Sequence, residues 1–148
     1  MVFDQGPFLS SALFCEKLLV EQDNVKSAIR IVDVVTMTAE GPDPPKEMAP
    51  FVYEGSMLMR FIAGAARGRY ELGMTIVNPD STSRERIARD IEFGDQPEQG
   101  LDVVTSLKIR FAMPGTYWFR IDLNGTQITQ IPMRVDYVRV VKPPRPPQ

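Results

Sequence analysis

The chain has 148 residues, 43% of them hydrophobic, and carries 17 basic against 19 acidic side chains for a net charge of -2. That length fits one domain able to bury roughly two thirds of its unfolded surface, and the hydrophobic content excludes wholesale disorder. The near-neutral balance supplies no broad attraction to nucleic acid or to an anionic membrane.

No apolar run approaches the ~18 residues of a transmembrane helix. The N-terminus has no basic leader, since Asp4 is its first charge, and Glu16 and Lys17 interrupt the apolar stretch from Phe8 to Val20, so no secretory signal is expected. Cys15 is the single cysteine, which forbids an intrachain disulfide and points to a cytoplasmic location.

Taken in order, residues 1–10, with Gly6-Pro7, read as a flexible lead-in, residues 11–141 as a single domain and residues 142–148 as a Pro-rich tail. After Ser10 or Ser11, Leu13, Phe14 and Leu18 fit one helical face, yet Ala12 to Val20 also suits a strand buried on both sides. The following segment decides for the strand. Gln22-Asp23-Asn24 is a turn cluster, and Val25 to Thr38 is dense in β-branched residues, which lose χ1 freedom in helices and pack well on pleated surfaces. The expectation is a hairpin of 12–20 with 25–38. Past Asp33 the apolar phase moves from odd (Ile29, Ile31) to even (Val32, Val34), which predicts a bulge or a change of sheet.

Glu40 to Pro50 holds four prolines and too few backbone donors for a ladder, so it is a loop. Phe51 to Ala63 places Tyr53, Met57, Met59 and Phe61 in one phase. A turn at Gly64 to Gly68 leads into Arg69 to Val77, where Tyr70, Leu72, Met74 and Ile76 alternate with polar residues, and Asn78-Pro79-Asp80-Ser81 ends the strand. Thr82 to Gly100 is the most charged stretch, with Ile87, Ile91 and Phe93 marking a half-buried strand before a loop at Gly94 to Gly100. A further strand runs from about Asp102 to Ala112.

The most legible stretch is Pro114 to Val135. Tyr117, Phe119, Ile121 and Leu123 alternate with Trp118, Arg120 and Asp122, the period of a strand with one buried face. Asn124-Gly125 tolerates the positive φ that a type I′ hairpin turn needs at both central positions. In the second arm Ile128 is out of phase with Ile131, Met133 and Val135, so a bulge is expected near Thr129-Gln130, and Pro132 predicts an edge position. The tail, Lys-Pro-Pro-Arg-Pro-Pro-Gln, reads as extended polyproline II or disorder. Seven to eight strands at this turn spacing, with no βαβ alternation and no repeat, define an all-β fold, an antiparallel β-sandwich.

Several short motifs carry a resemblance: Ala12-Leu13-Phe14-Cys15-Glu16-Lys17, the turn Gln22-Asp23-Asn24, the strand Ser27 to Asp33, the proline-rich loop, Ile76-Val77-Asn78-Pro79-Asp80, and Pro114 to Phe119 with Asn124-Gly125. Together they resemble a bacterial family of small single-domain proteins described only as a domain of unknown function. The resemblance implies an immunoglobulin-like or C2-like β-sandwich. It brings no activity, so no catalytic residue is carried over. This chain departs at the first hairpin turn, where Asp-Gly or Asn-Gly is usual and Asp23-Asn24 stands here; Asn also tolerates the left-handed region.

The chain contains no histidine. Ser-His and Cys-His nucleophile pairs and His-rich zinc sites are therefore absent, and one cysteine cannot form a thiolate cluster. Cys15 reads as a small buried hydrophobe. A C2-like calcium site would need aspartates converging from two loops; Asp80 with Asp95 is the pair to consider, but no Asp-x-Asp spacing supports it, and solvated loop charges are the favoured reading. Arg84, Arg86 and Arg89 interleave with Glu85, Asp90 and Glu92, the pattern of a solvated strand face more than of a phosphate patch. Gly64 to Arg69 lacks the Gly-Lys-Ser/Thr of a phosphate-binding loop and a following helix, and reads as a hairpin turn.

Trp118 is the outlier. It stands in the polar phase beside Arg120, so it is either exposed or buried in a two-sided strand or beneath a loop. Exposed tryptophan beside arginine is the composition of interface hot spots, and aromatic strand faces also stack sugars. The expectation is a non-enzymatic module without cofactor or metal, contacting a protein partner or itself through Trp118, Arg120, Pro132 and Arg134. The alternative is a small-ligand or carbohydrate-binding sandwich with Trp118 and Tyr117 as platforms. The Pro-rich tail reads as a solubilising terminus before a ligand for an aromatic groove.

Overall fold

The computed structural model describes residues 5–148, and among these it holds nine strands and no helix. They are β1 (Phe8–Val20), β2 (Lys26–Val32), β3 (Val34–Gly41), β4 (Phe51–Ile62), β5 (Gly68–Val77), β6 (Ile87–Phe93), β7 (Gly100–Phe111), β8 (Gly115–Leu123) and β9 (Thr126–Val141). One sheet has the order β2-β1-β4-β7 and the other β3-β9-β8-β5-β6, so the hairpin expected across Gly64 to Arg69 is corrected: that turn carries the chain from one sheet to the other, and alternation along a strand does not say which strand it pairs with. The five-stranded sheet curls into a half-barrel. Met1 to Asp4, within the expected lead-in, lie outside the described residues; the remainder of that segment is partly strand, because β1 already begins at Phe8.

β1 and β2 form the expected first hairpin, with Asn24 in the left-handed region at φ 66°. Pairing stops at Val32, short of the expected 38. At Asp33 the chain changes sheet, and β3 runs alongside β9 in parallel register from Val34↔Arg134 to Gly41↔Val141. An antiparallel arrangement throughout is therefore corrected at this pair. Side-chain alternation has the same period in both kinds of ladder, so it carries no information on strand direction.

Lys26, at the start of β2, lies 3.3 Å from Asp102 of β7, although β1 and β4 separate those strands. The register aligns Lys26 with Val20 and Asp102 with Arg60, which faces Ser11. Ser11 and Val20 would stand roughly 30 Å apart along a flat β1. The ion pair closes that distance, so the tip of the first hairpin curls back over the sheet.

The strands are held by one apolar core drawn from both sheets. Phe14, Met57, Met59, Phe61 and Phe111 from one side meet Leu72, Met74, Phe93, Tyr117, Phe119 and Met133 from the other. Phe61 meets Phe93 at 6.1 Å and 88°, and Phe111 meets Tyr117 at 4.5 Å. Met48, from the proline-rich loop, is buried against the same cluster, and that loop is tied to β9 by Tyr137 Oη donating to Pro45 O and Arg139 Nη2 donating to Pro44 O at 2.7 Å.

The β8–β9 hairpin matches its expectation closely. Asn124 and Gly125 have φ of 48° and 83°, both positive as a type I′ turn requires. Asn124 N donates to Glu71 O at 2.9 Å and its Oδ1 accepts from Glu71 N at 2.9 Å, which fastens the turn to β5. The register passes from Ile121↔Thr129 to Asp122↔Gln127, so Ile128 is the extra residue of a bulge one position from the expected site. The edge position expected from Pro132 is corrected: β9 lies between β8 and β3. The reason is local. β3 begins only at Val34, opposite Arg134, whose N–H donates to Asp33 O at 3.0 Å. Pro132, two residues earlier and in the same phase, aims its nitrogen at a flank where no strand has yet arrived, so no donor is needed.

Candidate functional site

β8 turns Tyr117, Phe119, Ile121 and Leu123 into the core and Thr116, Trp118 and Arg120 outward. Trp118 faces Val77 of β5 on one side and Pro132 of β9 on the other. At the end of β5 the chain turns sharply, and this turn rises beside Trp118 as a wall. Asp80 Oδ1 accepts from Thr82 N at 3.1 Å and Thr82 Oγ1 at 2.6 Å, Ser81 adopts φ 71°, and Asn78 N donates to Thr82 O at 2.8 Å. These bonds from Thr82 hold the Asp80 carboxyl below the usual carboxylate range. Arg84 braces the turn from behind, with Nε donating to Asn78 Oδ1 at 2.9 Å, Nη2 donating to Arg110 O at 2.8 Å and the guanidinium 5.6 Å from the Tyr117 ring centre.

Pro79 packs directly on Gly115, where φ is 129° and any Cβ would run into the proline ring. Glycine is thus what lets the turn lie close to β8. Between turn and strand is an open groove of about 500 Å³ whose lining includes Ser81, Ser83, Thr116, Trp118 and Arg120. A second hollow, about 630 Å³, continues from Thr116 along Arg134, Asp136 and Val138 of β9.

The four residues singled out from the sequence therefore divide. Trp118, 37% exposed, and Arg120 share the groove, and Pro132 lies at its flank opposite Trp118. Arg134 belongs to the second hollow and already holds Asp136 at 2.7 Å. Arg120, by contrast, makes no hydrogen bond or ion pair among the described residues. Sequence reasoning missed the Asn78 to Ser83 wall. The turn itself was visible in Asn78-Pro79-Asp80-Ser81, but its place beside Trp118 follows only from the pairing Val77↔Trp118.

The other charged groups serve the frame. Arg86 binds Asp122 through Nε at 3.1 Å and Nη2 at 2.7 Å and reaches Glu71 at 2.7 Å. Gly73 lies beneath this guanidinium, in the space a Cβ would occupy. Arg89 Nη1 donates to Val104 O at 2.9 Å. With Arg84 on Arg110 O, two arginines from the β5–β6 segment cover carbonyls on the free edge of β7. Asp80 precedes β6 and Asp95 follows it, so the strand separates these carboxylates rather than bringing them together. Among the described residues no three His, Cys, Asp or Glu side chains cluster as metal ligands. Cys15 is fully buried beside Ser56 and Ile31, and burial pushes its thiol up.

Fold and surface thus define an all-β domain of two sheets around one core, with an aromatic groove on the outer face of the curled sheet. Residues 46–136 match a family of unknown function (DUF6941), and the chain belongs to it. The matched segment runs from the end of the proline-rich loop into β9 and so contains the groove, while the first hairpin and β3 lie outside it. No curated protein matches the chain.

Proposed function

We propose that this protein is a non-enzymatic interaction or assembly module of the bacterial cytoplasm, contacting a protein partner or a further copy of itself through the outer face of its curled sheet. The observation that carries the reading is Trp118, 37% exposed in a groove beside an Arg120 with no partner among the described residues. Tryptophan and arginine dominate the energetics of protein contacts because each combines a large apolar surface with directional donors. The finer fold assignment, immunoglobulin-like or C2-like, is supported by Tyr117 Oη donating to Met113 O at 2.7 Å, four residues upstream. That closure resembles the tyrosine corner of immunoglobulin-type sandwiches.

The test is light scattering after size-exclusion chromatography on the wild type and on Trp118→Ala and Arg120→Ala. Concentration-dependent association, or a co-purifying partner, that either substitution removes while thermal stability is kept supports the reading. A strict monomer with no partner, unaltered by both changes, refutes it.

The groove also favours a second reading, a small-ligand or carbohydrate site. Its volume of about 500 Å³ falls in the small-molecule range, and Ser81, Ser83 and Thr116 line it with Trp118, the one platform left, since Tyr117, the other expected platform, faces the core and is buried there. A glycan and metabolite panel that leaves the thermal midpoint unmoved removes it.

A further inference from the structure

We infer that the groove at Trp118 receives the Pro-rich segment Pro143 to Pro147 of a second copy of this chain, bound as a polyproline II ligand. This rests on the reading of the Trp118 face as a contact surface and names what occupies it.

The chemistry of the two surfaces is complementary. Pro143, Pro144, Pro146 and Pro147 have no N–H, so the segment offers rings and bare carbonyl acceptors. The groove offers the converse. Ser81, Ser83, Thr116, Trp118 and Arg120 all carry donors, and no carboxylate lines it among the described residues. Polyproline II ligands dock in this manner, with proline rings against an aromatic plane and carbonyls on flanking donors. Asp80, on the turn that walls the groove but outside its lining, is the nearest carboxylate in sequence to that lining, with its Oδ1 taken by Thr82.

Geometry selects a second copy. Lys142 N donates to Gly41 O at 2.8 Å and its Nζ to Glu40 at 2.6 Å, which anchors the strand end, and residues 143–148 are exposed and outside any ladder beyond it. Trp118 aligns with Pro132, ten residues before Lys142, roughly 33 Å back along β9. Pro143 to Pro147 spans only about 16 Å as polyproline II. The segment is therefore only about half as long as the stretch of β9 it would have to retrace to fill the groove of its own chain. The contact joins two different patches, so it is head-to-tail and builds open chains or rings rather than an isologous pair.

Trp118 is the only tryptophan, so its fluorescence reports on the groove alone. The full chain with Pro143, Pro144, Pro146 and Pro147 all changed to Ser is titrated with a synthetic peptide of residues 141–148. The expected result is a saturable blue shift that a peptide with alanine at the four proline positions does not give. In light scattering the wild type gains mass with concentration, while the four-proline variant and Trp118→Ala each lose association at least about tenfold. Mixing those two variants restores a one-to-one pair, since one keeps the groove and the other the tail. If the four-proline variant associates like the wild type and Trp118→Ala does not, the tail is not the occupant, although the contact-surface reading stands. If neither substitution matters, both fall. An emission shift with inorganic phosphate and none with the peptide makes the groove an anion site through Arg120 and overturns the proposal.

Discussion

Phe14 of β1 and Phe119 of β8 meet across the core with ring centroids 4.8 Å apart and planes at 61°, and neither ring is more than 2% exposed. This edge-to-face contact joins the two sheets. Phe119→Ala should lower stability by about 3–5 kcal/mol, seen as a lower urea midpoint at unchanged slope. A loss below ~1 kcal/mol would mean the sheets are not held together at this point.

The second expectation concerns acid. Arg86 beside Asp122 holds that carboxyl below the usual range. A depressed native pKa stabilises the fold above the unfolded value of about 3.9, and the contribution is lost as pH falls through the lower native value. Asp122→Asn should therefore unfold at a lower urea concentration than the wild type near neutrality, and the gap should close in strong acid. A gap of constant size across that range would show that the ionised form of Asp122 is not what stabilises.

Tyr117 is buried, and its hydroxyl is the partner of the Met113 carbonyl. Tyr117→Phe keeps the ring and strands that carbonyl, so a loss of about 1–2 kcal/mol is expected from chemical denaturation. An unchanged midpoint would indicate that water replaces the bond and that the corner is open.

Cys15 is fully buried and its thiol is pushed up, so little thiolate forms at neutral pH and none is presented to solvent. A disulfide reagent such as Ellman's should label the folded protein only at the rate of opening and label it stoichiometrically in urea. Prompt labelling under native conditions would place the thiol at the surface.

Much of this was legible where one strand face is wet and the other dry. Tyr117 to Leu123 declared its own orientation, and the phase slips at Asp33 and Ile128 marked a change of sheet and a bulge. The groove was half legible: alternation put Trp118 and Arg120 outward, but the Asn78 to Ser83 wall stands beside them through pairing between segments forty residues apart, which no local pattern records. Phe8 to Ser10 were hidden because Gly6-Pro7 reads as loop. Pro132 misled because a missing donor marks an open flank at one residue, not along a whole strand. The direction of β3 was beyond reach, since parallel and antiparallel neighbours ask for the same alternation.

The crossing at Asp33 also bears on synthesis. Every register pair of the β3–β9 ladder joins residues 100 apart, as in Val34↔Arg134 and Gly41↔Val141. Closing such a loop costs about 4 kcal/mol of chain entropy before any ladder bond forms. On the ribosome the strands of the four-stranded sheet are complete once Phe111 has emerged, while β3 waits for β9. For that interval a β-branched strand stands without its neighbour, which makes Val34 to Gly41 the segment where mispairing during translation would begin.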